Sequence, residues 1–445
     1  MKKTLPIFVF LWARCWCQNP IALKDAVRSA LDQNKSIQAS GAARNAAENR
    51  VTEAHAGFLP KVNYSESWTR SDNPVFVFSS LLTQHQFGEE NFQIGSLNRP
   101  DFLNNFQSLV TADQPIYNAG QTKHAVHAAE LTKDIAGEDH RLTEMEVIAK
   151  VVKAYYGVLL SAEQLKASEQ GVRSAEADLR RAESIRSAGM STDSDVLSIR
   201  VHLASVEESR ISRSADLDVA RAALNEVLGV PLDSTQELSS RLMPATLPEV
   251  SLADYESSAI NTRPEARQAK LATSLAENQV QDAHSALLPQ VSLHGAFQAD
   301  RQQFFNRGGA NWLVSVGLRW NLFNGFNDKA RIEESKSLLL RSEAEQERTG
   351  SAIRLQVRRA FADLRAAEQR IEVAKASVAE AEESLRITQN RYEAGITNVT
   401  DLLRTETAVL EARTRYLAAV HDQRIAATML EMAAGRLTAD SEVLN

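Results

Sequence analysis

The stretch Tyr392–Leu403 reads YEAGITNVTDLL and interrupts a long helical pattern with a glycine turn. A related stretch, Arg186–Leu197, reads RSAGMSTDSDVL and lies 206 residues earlier. In both, a glycine precedes an aspartate by six residues, and residues that favour helix N-termini stand between them. Each stretch separates one helical pattern from the next. We therefore expect two matching helix–turn–helix connections, and the rest of the chain is organised around them.

The plan that surrounds these turns occurs twice. AHAGFLPKV at Ala54–Val62 matches AHSALLPQV at Ala283–Val291, and in each copy proline stops a helical pattern. Matching residues are 229 positions apart there but 206 apart beyond the strands, so 23 additional residues lie within the first strand pair. The equal spacing downstream predicts helices of equal length. The sequence thus predicts a duplicated helix–β-hairpin–helix unit.

The expected boundaries follow from the repeat. They are residues 1–17 for a signal peptide, 18–229 for the first repeat, 230–250 for a proline-containing linker, 251–437 for the second repeat and 438–445 for a C-terminal tail. Strands are expected at about 61–70, 105–117, 290–299 and 311–323, and residues 71–104, which are rich in Asn, Gly, Ser and Pro, are expected to form a long loop. Helical patterns cover 21–56, 118–189, 252–288 and 325–395.

The first residues predict export. Lys2 and Lys3 precede a short apolar run, which is typical of a secretory signal peptide. Both cysteines, Cys15 and Cys17, lie at its end, and lipid attachment at either one stays open. A chain without later cysteines suits an oxidising periplasm. No later stretch has about 18 consecutive apolar residues, so we expect any membrane crossing to use strands.

Composition argues against several classes of function. The net charge is −7 and no basic stretch could follow a phosphate backbone, so nucleic acid is not an expected partner. The chain is 43% hydrophobic but only 6% aromatic, which favours extended helices over large globular cores. We find neither a phosphate-binding glycine loop with lysine nor a catalytic constellation in the sequence. We therefore expect no enzyme, no cofactor and no metal site.

The long helical patterns carry a heptad seam. Residues 353–385 have apolar side chains at alternating spacings of four and three, with alanine at one seam position and larger residues at the other. The larger residues are Val357, Leu364, Ile371, Val378 and Leu385, matched in the first repeat by Val151, Val158, Leu165, Val172 and Leu179. A helix of about 70 residues is about 100 Å long. An ordinary coiled coil would show the same seam, so the duplication and the strands decide the interpretation.

The last predicted strand alternates strictly. Its apolar set is Trp312, Val314, Val316, Leu318, Trp320 and Leu322, and small or polar residues lie between them. Tryptophan near each end of an apolar face is typical of strands in a membrane. Four strands cannot close a pore, and a bilayer does not tolerate open sheet edges, so we expect oligomerisation. The edge of a soluble β-sandwich is the alternative.

These motifs together resemble the TolC-like outer membrane efflux protein family over Ile21–Gly435. The resemblance rests on IALKDAVRSALDQN at the start, the proline strand entries at Pro60 and Pro289, PIYNAG and NLFNGF after the hairpins, and the paired turns. It implies a homotrimer with a twelve-stranded transmembrane β-barrel on a long α-helical coiled-coil tunnel in the periplasm. It also implies a periplasmic adaptor and an inner membrane pump as partners.

The resemblance also implies gate residues. Asp401 matches a constricting aspartate ring, Arg404 replaces a second aspartate, and Tyr392 and Asp195 match a link between helices. A basic residue of that network is Thr397 here, so the link is incomplete. The expected tip turns and adaptor contacts are Gly189, Ser191, Thr192, Gly395, Thr397 and Asn398. Alternatively, Asp195 and Asp401 serve to cap the helices that follow.

The resulting hypothesis is a passive outer membrane channel for multidrug or small-molecule efflux. A type I protein secretion outlet is the alternative within this class, because the tunnel sequence does not distinguish the two. From a different class, a soluble periplasmic coiled-coil scaffold would share the helices. It would lack strands with one apolar and one polar face.

Overall fold

The computed structural model describes residues 20–189, 192–245 and 250–444. The predicted signal peptide, Cys15, Cys17 and Ser191 lie outside the described residues. The helices are α1 Leu23–Gln33, α2 Lys35–His55, α3 Pro74–Thr83, α4 Ile94–Asn98, α5 Gln121–Ser187, α6 Asp193–Leu228, α7 Leu252–Thr262, α8 Pro264–Ser285, α9 Asn327–Glu393 and α10 Val399–Ala433. The strands are β1 Lys61–Ser71, β2 Leu103–Tyr117, β3 Gln290–Arg301 and β4 Gly309–Arg319. Short 3₁₀ turns cover 56–58, 89–92 and 442–444.

The four strands form one antiparallel sheet in the order β1-β2-β3-β4. The two hairpins join through β2 and β3, where Val110 lies opposite Phe297, and Phe297 lies opposite Trp312 of β4. β1 and β4 are the edges of this sheet. The prediction that the last strand continues to residue 323 is wrong. It ends at Arg319, and a turn with positive φ at Gly325 and Phe326 leads into α9.

The connection between β1 and β2 is not an unstructured loop, which corrects the prediction for residues 71–104. It contains α3 and α4. The side chain of Asn73 accepts hydrogen bonds from the backbone N–H groups of Val75 and Phe76, and Pro74 follows as the first helical residue. Proline is favoured at that position because its missing N–H would be unpaired anyway. Here proline starts a helix instead of preventing one.

Two helical patterns that looked continuous are each broken once. Between α1 and α2, Asn34 is extended, its side-chain oxygen accepts from Ser36 N–H, and its amide donates to the Val227 carbonyl at 2.8 Å. Between α7 and α8, Arg263 is extended because the following Pro264 disfavours helical backbone at the preceding residue. The predictions of single helices over 21–56 and 252–288 are therefore wrong in that detail.

The two longest helices are equal in length, as the spacing of the repeats predicts. α5 and α9 each contain 67 residues. The seam residues Val151, Val357 and Leu364 are buried. Within the described ranges, no helix combines the length and hydropathy that a membrane crossing needs.

The chain divides into two compact units. One consists of Ala42–Gly137 and Gln268–Arg348 and contains the sheet. The other consists of Glu138–Arg267 and Thr349–Asn445, together with the chain up to Gly41. In this helical unit α1, α5, α6, α7, α9 and α10 share one core, and the buried hydroxyl of Tyr155 donates to the Ile21 carbonyl at 2.9 Å. Both predicted turns lie in the helical unit.

Candidate functional site

The two predicted turns close the long helices in the same way. Gly189 and Gly395 have φ of 77° and 70°, in the left-handed region where a side chain is disfavoured. Their N–H groups donate to the carbonyls of Arg186 and Tyr392 at 2.8 and 3.0 Å. Both glycines are exposed. The sequence therefore places a reversal of the chain at the same point in each repeat.

The helices that leave these turns begin with side-chain caps. Thr192 Oγ1 accepts from Asp195 N–H, and the Asp195 carboxylate accepts from Thr192 N–H, which together form a capping box. In the second turn Asn398 Oδ1 accepts from Asp401 N–H at 2.9 Å, while Thr397 Oγ1 donates to Asp401 Oδ2 at 2.8 Å. The capping role left open for the two aspartates is therefore real for Asp195, which completes the capping box of Thr192. Asp401 does not cap its helix, because Asn398 is the N-cap residue and the Asp401 carboxylate accepts from the Thr397 hydroxyl.

Beneath the turns, the ends of four helices share a small apolar cluster. Its buried members are Ala182 of α5, Val196 and Ile199 of α6, and Val399 of α10, with Leu179, Tyr392 and Leu403 packed around them. This packing holds the two turns side by side. A movement of one turn must therefore disturb contacts with the other, because close-packed interiors transmit displacement.

Among the predicted gate residues, the structure brings Tyr392 and Asp195 within electrostatic range. Burial raises the pKa of Tyr392, and the charges of Asp195 and Asp178 raise it further, while Arg181 opposes the shift. Asp401 and Arg404 are exposed. Within the part of the chain that the structure describes, Arg404 forms no ion pair.

Sequence reasoning missed a group of ionisable residues under the same cluster. Asp178 of α5 is almost fully buried, and Arg181 Nη1 lies 3.6 Å from its carboxylate and 3.1 Å from Glu393. His202 Nε2 of α6 lies 3.5 Å from Glu406 Oε2 of α10. Burial, followed by a hydrogen bond with Glu406 and the charge of Glu406, raises the pKa of Asp178 to about 8.

The repeat gives no signal for this group. The positions that match Asp178 and Glu406 in the other repeat are Ser384 and Arg200, so the duplication does not mark them. Among the described residues, no three His, Cys, Asp or Glu side chains are arranged to hold a metal ion.

Comparison with known proteins agrees with this architecture. The family model described as outer membrane efflux protein matches residues 26–230 and 256–436. Protein CyaE of Bordetella pertussis is 30% identical over 348 residues, covering 76% of this chain and 72% of that protein. The alkaline protease secretion protein AprF of Pseudomonas aeruginosa is 24% identical over 434 residues, covering 95% and 86%.

Solved structures share the fold. The CmeC outer membrane channel of Campylobacter jejuni superimposes with a TM-score of 0.79 at 16% identity, covering 95% of this chain and 87% of that one. The family consists of channels, and its members are trimeric and work with an adaptor and an inner membrane pump. The predicted resemblance, the outer membrane location and the helical tunnel in the periplasm are confirmed. The chain belongs to the outer membrane efflux protein family and is an outer membrane efflux channel.

Proposed function

We propose that three copies of this chain form a passive exit duct for solutes delivered by an adaptor and an inner membrane pump. The observation that carries the proposal is the four-stranded sheet, whose edge strands β1 and β4 each lack a second partner strand among the residues that the structure describes. Unpaired backbone groups are not tolerated in lipid. Three sheets joined edge to edge give a closed twelve-stranded barrel.

The exposed face of β4 supports this assembly. Trp312, Val314, Val316 and Leu318 are all more than half exposed in the single chain. An apolar row of this length on an edge strand invites aggregation in water but suits contact with lipid. Each sequence repeat, residues 18–229 and 251–437, would then supply one hairpin and one pair of tunnel helices, with 230–250 as linker and 438–445 as tail.

The two turns are proposed to form the periplasmic gate. Asp401 and Arg404 are exposed side chains within one turn of α10, so threefold symmetry would form rings of opposite charge. Alternating rings attract each other and favour closure. The residues proposed to contact the adaptor are those of the two turns: Gly189, Ser191, Thr192, Gly395, Thr397 and Asn398.

The assembly is tested by the mass of the protein extracted from outer membranes in detergent, corrected for bound detergent. The expected mass is three times 49.1 kDa, less any cleaved signal peptide. A monomer that stays soluble without detergent would contradict the proposal.

Small-molecule efflux is the proposed task, and type I protein secretion is the second candidate. One observation supports protein secretion as the second candidate, because the relative AprF is named for secretion of alkaline protease. A strain that lacks this chain should become sensitive to drugs if the channel serves efflux. Loss of a secreted protein from the medium, with unchanged drug susceptibility, would select secretion instead.

A further inference from the structure

Residues 72–102, named here the insertion, connect β1 to β2 and have no task in the proposed channel. Their helix α3 begins beside the end of β1, where Asn73 caps it, and ends at β4, where Asn311 Nδ2 donates to the Thr83 carbonyl at 3.2 Å. α3 also contacts β2 and β3. Its 10 residues span about 15 Å, and the three steps from β1 to β4 span about 14 Å. The helix therefore crosses the whole sheet.

α3 lies on the polar face of the sheet. Side chains alternate between the two faces along each strand. The strand register places Asn105, Asp300 and Asn311 on one face, whereas Phe297 and Trp312, which lie opposite each other, belong to the other face. The insertion reaches the sheet through Asn105 and Asn311. It therefore covers the face opposite to the exposed apolar row of β4.

A buried group of amides around one carboxylate fastens the insertion to this face. Gln84 is 2% exposed, and its Nε2 donates to Asn105 Oδ1 at 2.8 Å and to the Asn104 carbonyl at 3.1 Å. Asn105 Nδ2 donates in turn to the fully buried Asp300 at 2.7 Å. The Gln298 amide donates to the same carboxylate at 2.6 Å. Buried polar groups that satisfy one another specify a single arrangement and are costly to separate.

A glycine lets the end of α3 approach the backbone of β4. A Cβ added at Gly309 would lie 2.0 Å from the Thr83 carbonyl oxygen and 2.9 Å from the Gln84 carbonyl carbon. Both distances are shorter than any contact that a Cβ makes in a protein, so a side chain at this position would push α3 away. The insertion is therefore packed directly against the sheet.

We propose that the insertion is a size filter at the outer mouth of the channel and that the exported solutes are small molecules. The inference rests on the proposed trimeric channel, in which the polar face of each sheet lines the interior. The long helices α5 and α9 follow β2 and β4 at the other end of the strands, so the insertion lies at the end that faces out of the cell. A polypeptide would have to displace the insertion in order to leave.

The dimensions of the barrel make this filter narrow. Twelve strands spaced about 4.8 Å apart and tilted by about 40° enclose a bore of about 24 Å between backbones. Because α3 crosses the whole sheet, three copies line the full circumference. A layer of helix about 10 Å thick on every side leaves an opening of about 4 Å. An opening of this size passes narrow solutes and excludes folded protein.

The test measures how large a thiol reagent can reach the interior from outside intact cells. Ser315→Cys places a thiol at an exposed position on the polar face of β4, further from the outer mouth than Asn311. A small maleimide should label it. A maleimide on a polyethylene glycol chain wider than the filter but narrower than the bore should not. Both reagents should label it when residues 302–308, the short turn of the second hairpin, replace the insertion. Equal polymer labelling with and without the insertion overturns the inference.

Phe305→Cys is the matched control for access from outside. Phe305 lies in the turn between β3 and β4 and is 95% exposed, so both reagents should label this position with and without the insertion. The unmodified chain provides the blank for Cys15 and Cys17. A Phe305→Cys form that stays unlabelled on intact cells would contradict the proposed outer membrane channel itself. Failure of the channel and failure of the filter are therefore distinguishable.

A single substitution tests the attachment of the insertion without removing it. Gln84→Ala removes both hydrogen bonds that its amide donates to β2. The rate of polymer labelling at Ser315→Cys should then rise by about tenfold. Gln86→Ala, at an exposed glutamine of the same insertion, is the control and should keep the wild-type rate. An unchanged rate in Gln84→Ala overturns the inference that these contacts hold the filter in place.

Discussion

At the scale of single residues, the two turns use the same backbone reversal with different caps. The first has a reciprocal capping box between Thr192 and Asp195, and the second has an asparagine cap at Asn398. Asp401 keeps its carboxylate near the surface in contact with Thr397. The Asp401 carboxylate can therefore face neighbouring copies of the chain, while the Asp401 N–H at the start of α10 keeps its hydrogen bond to Asn398.

Replacing Asn398 by alanine should loosen the start of α10. The backbone N–H of Asp401 loses its acceptor, which costs about 1 kcal/mol. Amide hydrogen exchange of residues 399–403 should quicken by about fivefold, since 1.4 kcal/mol corresponds to a factor of about ten. Asn390→Ala, an exposed position within α9, is the matched control and should leave exchange unchanged. Equal exchange in the two variants would refute the cap.

Replacing Gly395 by alanine should strain the second turn. No atom lies within 4 Å of an added Cβ, so the cost comes from the positive φ alone and amounts to about 1–2 kcal/mol. Gly157→Ala inside α5, also in open space, should instead stabilise its helix by about 0.5–1 kcal/mol. Opposite shifts in thermal unfolding are expected, and a shift of the same sign in both would contradict the assignment.

At the scale of elements, the seam of the long helices holds the helical unit together. Val357 is fully buried and Leu364 nearly so, and both belong to the shared core. Alternating large residues and alanines let neighbouring helices interdigitate closely. The stabilisation therefore comes from packing along the seam more than from intrinsic helix propensity.

Leu364→Ala should destabilise the helical unit by about 2–5 kcal/mol, because it leaves a cavity in the seam. Leu364→Met, which keeps the volume, should cost less than about 1.5 kcal/mol. Thermal unfolding followed by helical circular dichroism measures both. If the two variants unfold at the same temperature as the wild type, Leu364 does not support the core.

The sequence predicted the elements whose signal is local or duplicated. The heptad seam, the equal long helices and the four strands all follow from periodicity and from the matching of two repeats. The sequence analysis did not predict the breaks at Asn34 and Arg263 or the helix that begins at Pro74. Each of these features depends on a single asparagine or proline. The sequence analysis also did not predict the ionisable residues Asp178, His202 and Glu406, because they lie on three helices, α5, α6 and α10, that pack together only after folding.

At the scale of the whole molecule, one chain holds an incomplete sheet and pairs of long helices. Within the described ranges the sheet has two unpaired edges and an exposed apolar row. Unpaired edges are not tolerated in lipid, and an exposed apolar edge strand invites aggregation in water. Members of the family are trimeric channels, and the proposed trimer of this chain would pair both edges of the sheet. The charge rings proposed at Asp401 and Arg404 exist only in that assembly.

The most direct test is the single-channel conductance of the detergent-extracted protein in planar bilayers, measured for wild type and Asp401→Ala. We expect a trimer with low conductance that rises severalfold in the variant, because loss of the acid leaves a ring of mutually repelling Arg404 side chains. Asp363→Ala removes an exposed acid from α9 and should leave conductance unchanged. Protein that forms no channel in either form, or that is recovered as a monomer without detergent, would contradict the proposed trimeric channel with its gate at Asp401.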